Sequence, residues 1–125
     1  MAGNIIELNA KNFAETIDGN ETVIIDFWAG WCGPCMRFAP VFEDASTRHE
    51  DVTFAKLDTE AEHDVAAGME ITSIPTLMVF KKGALVFREA GALNTKQLDS
   101  LIEQVRELDI DKLKAEHEAA QQNQG

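Results

Sequence analysis

Val23-Ile24-Ile25-Asp26-Phe27-Trp28 runs straight into Ala29-Gly30-Trp31-Cys32-Gly33-Pro34-Cys35, and the fold is decided by how this stretch is read. Residues 23–28 are apolar on both alternating faces except at Asp26, the pattern of a central strand covered on each side. The lone carboxylate is the anomaly of the stretch. Beyond Gly30 the period changes: Phe38, Val41, Phe42 and Ala45 recur at helical spacing, so a helix runs from about Cys32 to His49. Pro40 falls inside it and is expected to kink it, because its ring removes a backbone donor and crowds residue 36.

Upstream, Ile5 to Leu8 reads as a strand. Asn9 can cap a following helix whose apolar residues are Phe13, Ala14 and Ile17, stopped by Asp18-Gly19-Asn20. Downstream, Val52 to Leu57 is a strand, and Glu60 to Gly68 is a helix that opens on acidic residues suited to its positive end. Thr76–Phe80 and Ala84–Arg88, joined through Lys81-Lys82-Gly83, form a hairpin with glycine at the turn. Asn94, with Gln97 three residues on, caps a last helix striped by Leu98, Leu101, Ile102, Val105 and Leu108. Phe13, Phe42 and Phe80 are assigned to the core. Three β-α units followed by a hairpin and a helix define an α/β fold, a mixed sheet with helices on both faces. The domain spans residues 1–109. Residues 110–125, with Ile110 and Leu113 as their large apolar side chains, are expected to form a frayed helical or disordered tail.

At 125 residues, 45% of them hydrophobic and 26% charged, the chain is long enough for a core without staples or metals. Eleven Lys and Arg against 22 Asp and Glu leave a net charge of -11, so neither a phosphate backbone nor an anionic membrane is an expected partner. No apolar run reaches bilayer length, and no basic segment followed by a hydrophobic stretch opens the chain, so a cytoplasmic location is expected. The acids cluster along residues 43 to 70, including Glu60, Glu62 and Asp64, and are read as a solvated face.

Cys32 and Cys35 are the only cysteines. A structural bridge between them would close a loop of four residues, for which chain entropy gives roughly 2 kcal/mol against about 4.7 for a loop of 100. A zinc site would need two more ligands, and His49, His63 and His117 lack the spacing that brings a pair to one metal. A redox dithiol accounts for the surroundings. At a strand-to-helix junction the Cys32 sulfur faces unpaired N–H groups and the positive end of the helix dipole, which favours thiolate. Cys35, one turn later, is shielded, so attack falls to Cys32 and resolution to Cys35. Gly33 keeps bulk away from the sulfur, and Pro34 suits a first helical turn.

The segment Phe27 to Cys35, with Ala39-Pro40 behind it, closely resembles the active-site segment of thioredoxins. Ala55-Lys56-Leu57-Asp58, Ile74-Pro75-Thr76-Leu77 and Gly91-Ala92-Leu93 match the same family in its order and spacing, over about residues 5 to 108. The resemblance implies the thioredoxin fold, a central mixed five-stranded sheet flanked by four helices with the C-terminal tail beyond it. It implies a protein-disulfide reductase, a thiol–disulfide oxidoreductase in which Cys32 attacks a substrate disulfide and Cys35 resolves the mixed disulfide. It further implies that Asp26 is the buried carboxylate that helps move the Cys35 proton, that Lys56 is the lysine near it, and that Pro75 is cis and faces the dithiol. The backbone at Ile74 would then hydrogen-bond an extended substrate, with Trp31, Gly33, Pro34, Gly91 and Ala92 completing the docking surface. Trp28 is assigned to packing. No bound cofactor or metal is implied; the partners are protein disulfides and a flavin-containing thioredoxin reductase, and a monomer is expected. Met36 departs from the lysine that many family members carry there, which removes one cation near the thiolate. Two rival functions share these residues, a disulfide oxidant or isomerase and a binding module without turnover. The Gly-Pro between the cysteines disfavours the first, and the dithiol retained together with Asp26 and Pro75 disfavours the second.

Overall fold

The structure, a computed structural model, describes residues 4–122, so the outermost residues of both the expected domain and the expected tail lie outside it. Among the described residues the chain forms β1 (Ile5–Glu7), α1 (Phe13–Gly19), β2 (Thr22–Trp28), α2 (Gly33–Arg48), β3 (Thr53–Asp58), α3 (His63–Gly68), β4 (Thr76–Lys81), β5 (Ala84–Ala90), α4 (Thr95–Glu107) and α5 (Ile110–Gln122). The strands make one mixed sheet in the order β1-β3-β2-β4-β5. β2 is central, parallel to β3 and antiparallel to β4.

Because strand side chains alternate between faces, β2 supplies two cores at once. Ile24 packs with Phe38, Phe42 and Ala45 of α2 and with Leu98, Leu101, Ile102 and Val105 of α4. Val23, Ile25 and Phe27 point the other way, into a cluster with Ile17 of α1 and Ala66 of α3. Phe42 and Phe80 are buried in these clusters, and Phe13 packs against the second. Asp26 therefore stands in a strand whose residues 23–27 are all buried. The β4–β5 turn needs positive φ at both central residues, and Lys82 (φ 51°) and Gly83 (φ 79°) supply it.

Several element ends differ from the sequence reading, each for a local reason. Asn9 does not cap α1: its side-chain oxygen accepts N–H bonds from Lys11 at 2.8 Å and Asn12 at 3.0 Å, building a turn that delays the helix to Phe13. Ala14 is exposed. In the same way Asp58 Oδ1 accepts the N–H groups of Glu60 (3.0 Å) and Ala61 (3.3 Å), so α3 starts at His63 and not at Glu60. Leu108 leaves the helical stripe, since its extended backbone (φ -70°, ψ 129°) terminates α4. α2 continues through Pro40 to Arg48. The expected capping box at Asn94 and Gln97 is present. The tail is helical over its described residues, and its first side chain, Ile110, is buried with 3% exposed, while Leu113 is 46% exposed.

Candidate active site

Cys32 is the N-cap of α2, and its sulfur accepts the Cys35 N–H at 3.2 Å. This is an orphan donor of the helix start given a sulfur partner, which electrostatically favours negative charge on Cys32. Gly33 and Pro34 fill the first turn, where the prolyl nitrogen removes no helical bond. The turn brings the two Cα atoms to 5.2 Å, and the cysteines form a disulfide. Both are buried, but Cys32 borders a groove of about 420 Å³ whose walls include Trp31, Pro34, Ile71, Ser73 and Ile74. Cys35 does not line it. Trp31 stands 71% exposed at the rim.

The loop before β4 faces the disulfide. Cys32 Sγ lies 3.7 Å from the Ile74 carbonyl oxygen, and the Ile74–Pro75 bond is cis, as the resemblance implied. The Gly91 N–H donates to the Pro75 oxygen at 2.8 Å, with Gly91 at φ 109°, a backbone open to glycine alone at little strain. Gly91 and Ala92 are exposed at the end of β5 without lining the groove.

On the central strand, Asp26 sits opposite Lys56 on β3 and Leu77 on β4. Burial pushes its carboxyl up to about 7, and the positive charge of Lys56 opposes this only in part. Among the described residues no hydrogen bond reaches Asp26 Oδ1. Lys56 forms no ion pair with it; its ammonium lies 4.5 Å over the Trp28 ring. Trp28 is half-buried and seats Lys56 by cation–π attraction. The two line a second groove of about 310 Å³, together with Glu7, Asp58 and Glu62. Of the acids read as a solvated face, Glu60 and Asp64 are exposed, while Glu62 is half-buried and accepts the Ala10 N–H at 3.2 Å. Among the described residues no group of three His, Cys, Asp or Glu is placed to hold a metal.

Two basic residues near this frame carry roles that no local pattern announces. Lys81 is buried, and its ammonium donates to the carbonyls of Val105 (2.7 Å), Arg106 (3.1 Å) and Leu108 (2.7 Å), closing the end of α4. Arg88 on β5 donates to the carbonyls of Met69 and Glu70, just before the Ile74 loop.

A vicinal cysteine pair at the start of a helix, one sulfur bordering a groove and the other sealed behind it, is the working part of a thiol–disulfide oxidoreductase. The family model described as Thioredoxin matches residues 4–104. The chain is 46% identical over 109 residues to "Putative thioredoxin 2" of Streptomyces coelicolor, covering 87% of this chain and 81% of that one. It is 43% identical over 93 residues to the "Bifunctional thioredoxin reductase/thioredoxin" of Mycobacterium leprae, covering 73% of this chain and 20% of that protein. Among solved structures, Plasmodium falciparum thioredoxin superposes with a TM-score of 0.74 at 39% identity, over 79% of this chain and 97% of that one. A mutant thioredoxin of Halobacterium salinarum gives 0.78 at 28% identity, over 87% and 98%. The chain belongs to the thioredoxin family, and its Cys32–Cys35 pair makes it a protein-disulfide reductase.

Proposed function

We propose that Cys32 is the attacking thiol and Cys35 the resolving one, a reading carried by the contrast between a sulfur that borders the groove and a sulfur sealed beneath it. In the reduced protein the Cys32 thiolate attacks one sulfur of a substrate disulfide, forms a mixed disulfide and releases the other sulfur as a thiolate that takes up a proton. Cys35 then loses its proton and attacks Cys32 Sγ, which releases the second substrate thiol and leaves the Cys32–Cys35 disulfide. Two electrons and two protons pass to the substrate. Asp26, with its carboxyl near neutrality, accepts the Cys35 proton, and Lys56 tempers the charge that develops there.

Substrate lies along the groove as an extended chain, bonding to the backbone at Ile74 beside Pro75, against the flat face of Trp31, Gly33 and Pro34. Gly91 and Ala92 extend that face from the end of β5. Main-chain contacts suit many sequences, which fits a general reductase. The partner that restores the dithiol is a flavin-containing thioredoxin reductase; a reductase and a thioredoxin share one chain in the bifunctional relative from Mycobacterium leprae. No step of this exchange calls on a cofactor bound to this chain. It acts as a monomer, since Cys32, Cys35, Asp26 and Lys56 suffice for the exchange, and in the cytoplasm, where the dithiol is kept reduced. Among the described residues no helix is long and apolar enough to cross a membrane. The redox domain is residues 1–109 and the tail residues 110–125, a division supported by the described tail, residues 110–122, none of which lines the groove at Cys32. The test is a pair of variants: Cys32→Ser abolishes catalysed reduction of a protein disulfide, and Cys35→Ser accumulates mixed disulfides on Cys32. Activity surviving in Cys32→Ser would reverse the assignment.

A further inference from the structure

We propose that Arg88 is the positioning residue of the docking loop, and that it sets how tightly a protein disulfide is held beside Cys32. The inference rests on the docking role given above to the Ile74 backbone. Arg88 Nη1 donates to the Met69 carbonyl at 2.7 Å and Nη2 to the Glu70 carbonyl at 2.6 Å. These carbonyls follow the C-terminus of α3, where the last carbonyls of a helix lack intrahelical partners and carry the negative end of its dipole. Arg88 reaches them because it pairs with Met78 across the β4–β5 ladder, and Met78 belongs to the cluster under α1 and α3. The planar fork meets the two successive carbonyls with one nitrogen each, in an orientation fixed by the guanidinium plane.

The clamp falls where the chain needs one. Glu70 has φ 57°, a left-handed conformation that a residue with a Cβ adopts at a cost and keeps only when its surroundings enforce it. Relaxation at Glu70 would swing the residues that follow it. Those residues, Ile71 to Ile74, form one wall of the groove beside the dithiol. The other end of the wall is tied by the Gly91 N–H to the Pro75 oxygen. The turn at Glu70 is closed on α3 by its own backbone, Glu70 N–H to the Ala67 oxygen at 3.0 Å and Ile71 N–H to the Ala66 oxygen at 3.1 Å, and β5 adds a hold at each end of the loop, the Arg88 side chain at Met69 and Glu70 and the backbone of Gly91 just beyond the strand.

The experiment measures reduction of insulin, as the protein disulfide, and of dithiobis-nitrobenzoate, as a small one that needs no docking. Arg88→Ala should raise KM for insulin about fivefold, the equivalent of roughly 1 kcal/mol for one net hydrogen bond, with kcat and the small-disulfide rate within about twofold of the starting protein. Arg88→Lys should recover part of the loss. Glu70→Gly makes the left-handed conformation native to the residue, so in that background Arg88→Ala should raise KM by no more than about twofold. An equal KM penalty in both backgrounds overturns the clamp, as does a parallel loss on both substrates that tracks the melting temperature. Thr72→Trp, which fills the groove from an exposed position, separates the two readings. If it raises KM and Arg88→Ala does not, the clamp alone is wrong; if neither does, the docking role of the loop falls with it.

Discussion

Replacing Asp26 by leucine should make the protein more stable and a poorer catalyst at the same time. In the folded protein burial lifts this carboxyl from 3.8 to about 7, and at roughly 1.4 kcal/mol per pH unit the difference corresponds to about 4 kcal/mol. The sign follows from which state holds the proton. The folded state binds it more tightly, so the stability this group contributes is whole below about pH 4 and drains away as pH rises through about 7. Above that pH an ionised Asp26, only 3% exposed and with Oδ1 unbonded among the described residues, is a burden on the fold. Leucine carries none of this dependence. The stability of Asp26→Leu minus that of the parent should therefore grow by about 1.4 kcal/mol per pH unit from pH 4 to 7 and level off beyond it.

The full 4 kcal/mol is a ceiling, because leucine must repack beside Leu77 and the attraction of Lys56 for the carboxylate is lost. A gain of about 2 to 3 kcal/mol at pH 8 would raise the melting temperature by roughly 10 °C in a domain of this size. Guanidinium unfolding of the oxidised protein from pH 4 to 8, followed by circular dichroism, measures the difference. Disulfide reduction by the same variant should fall toward the roughly hundredfold loss typical of a missing general base, and the rise of the parent's rate through neutral pH should vanish. A stability difference that stays flat from pH 4 to 8, or a variant that loses stability at pH 8 at full reduction rate, refutes the account of Asp26 as an unpaired buried acid.

Truncation after Asp109 should cost about 2 kcal/mol, because it removes the buried Ile110, and should leave insulin reduction unchanged; a melting temperature within about 2 °C of the parent, by calorimetry, would contradict this. Lys81→Met should destabilise by roughly 1 to 3 kcal/mol, since three carbonyls at the end of α4 lose their common donor, again with reduction kinetics unchanged. Arg106 holds the Asp51 carboxyl down at about 2, so that contribution to stability is present above about pH 4 and lost as pH falls toward 2. Arg106→Gln should therefore be less sensitive to acid over that window, as read by unfolding at pH 2 to 5. Arg106 also sets the state of His49: a guanidinium only donates, so its contact with Nδ1 at 2.8 Å leaves the proton on Nε2, which meets Asp99 at 2.8 Å. Nitrogen-15 NMR of the imidazole should show Nδ1 unprotonated.

How much of this was legible follows from the reach of each signal. Val23 to Cys35 encodes its own surroundings, because alternation along a buried strand and the change of period after Gly30 are local facts that fix β2, the junction and the start of α2. The hairpin turn and the Asn94 cap were legible for the same reason. Asn9 and Asp58 were not, since a side chain that can cap a helix can equally build a turn ahead of one, and only the neighbouring geometry decides. The cis bond at Pro75 came from resemblance alone. Lys81 and Arg88 mark the limit most clearly. Each is a cation in a hairpin, placed by the sequence in its turn or at the end of its second strand, and each donates to carbonyls 18 to 27 residues away in sequence. No period records such a pairing, because it depends on which helix end the sheet brings over the strand. The same reasoning explains Asp26: a carboxylate in an apolar run announces itself as a cost, and the sheet order, which sets Lys56 beside it and leaves one oxygen unbonded, determines how large that cost becomes.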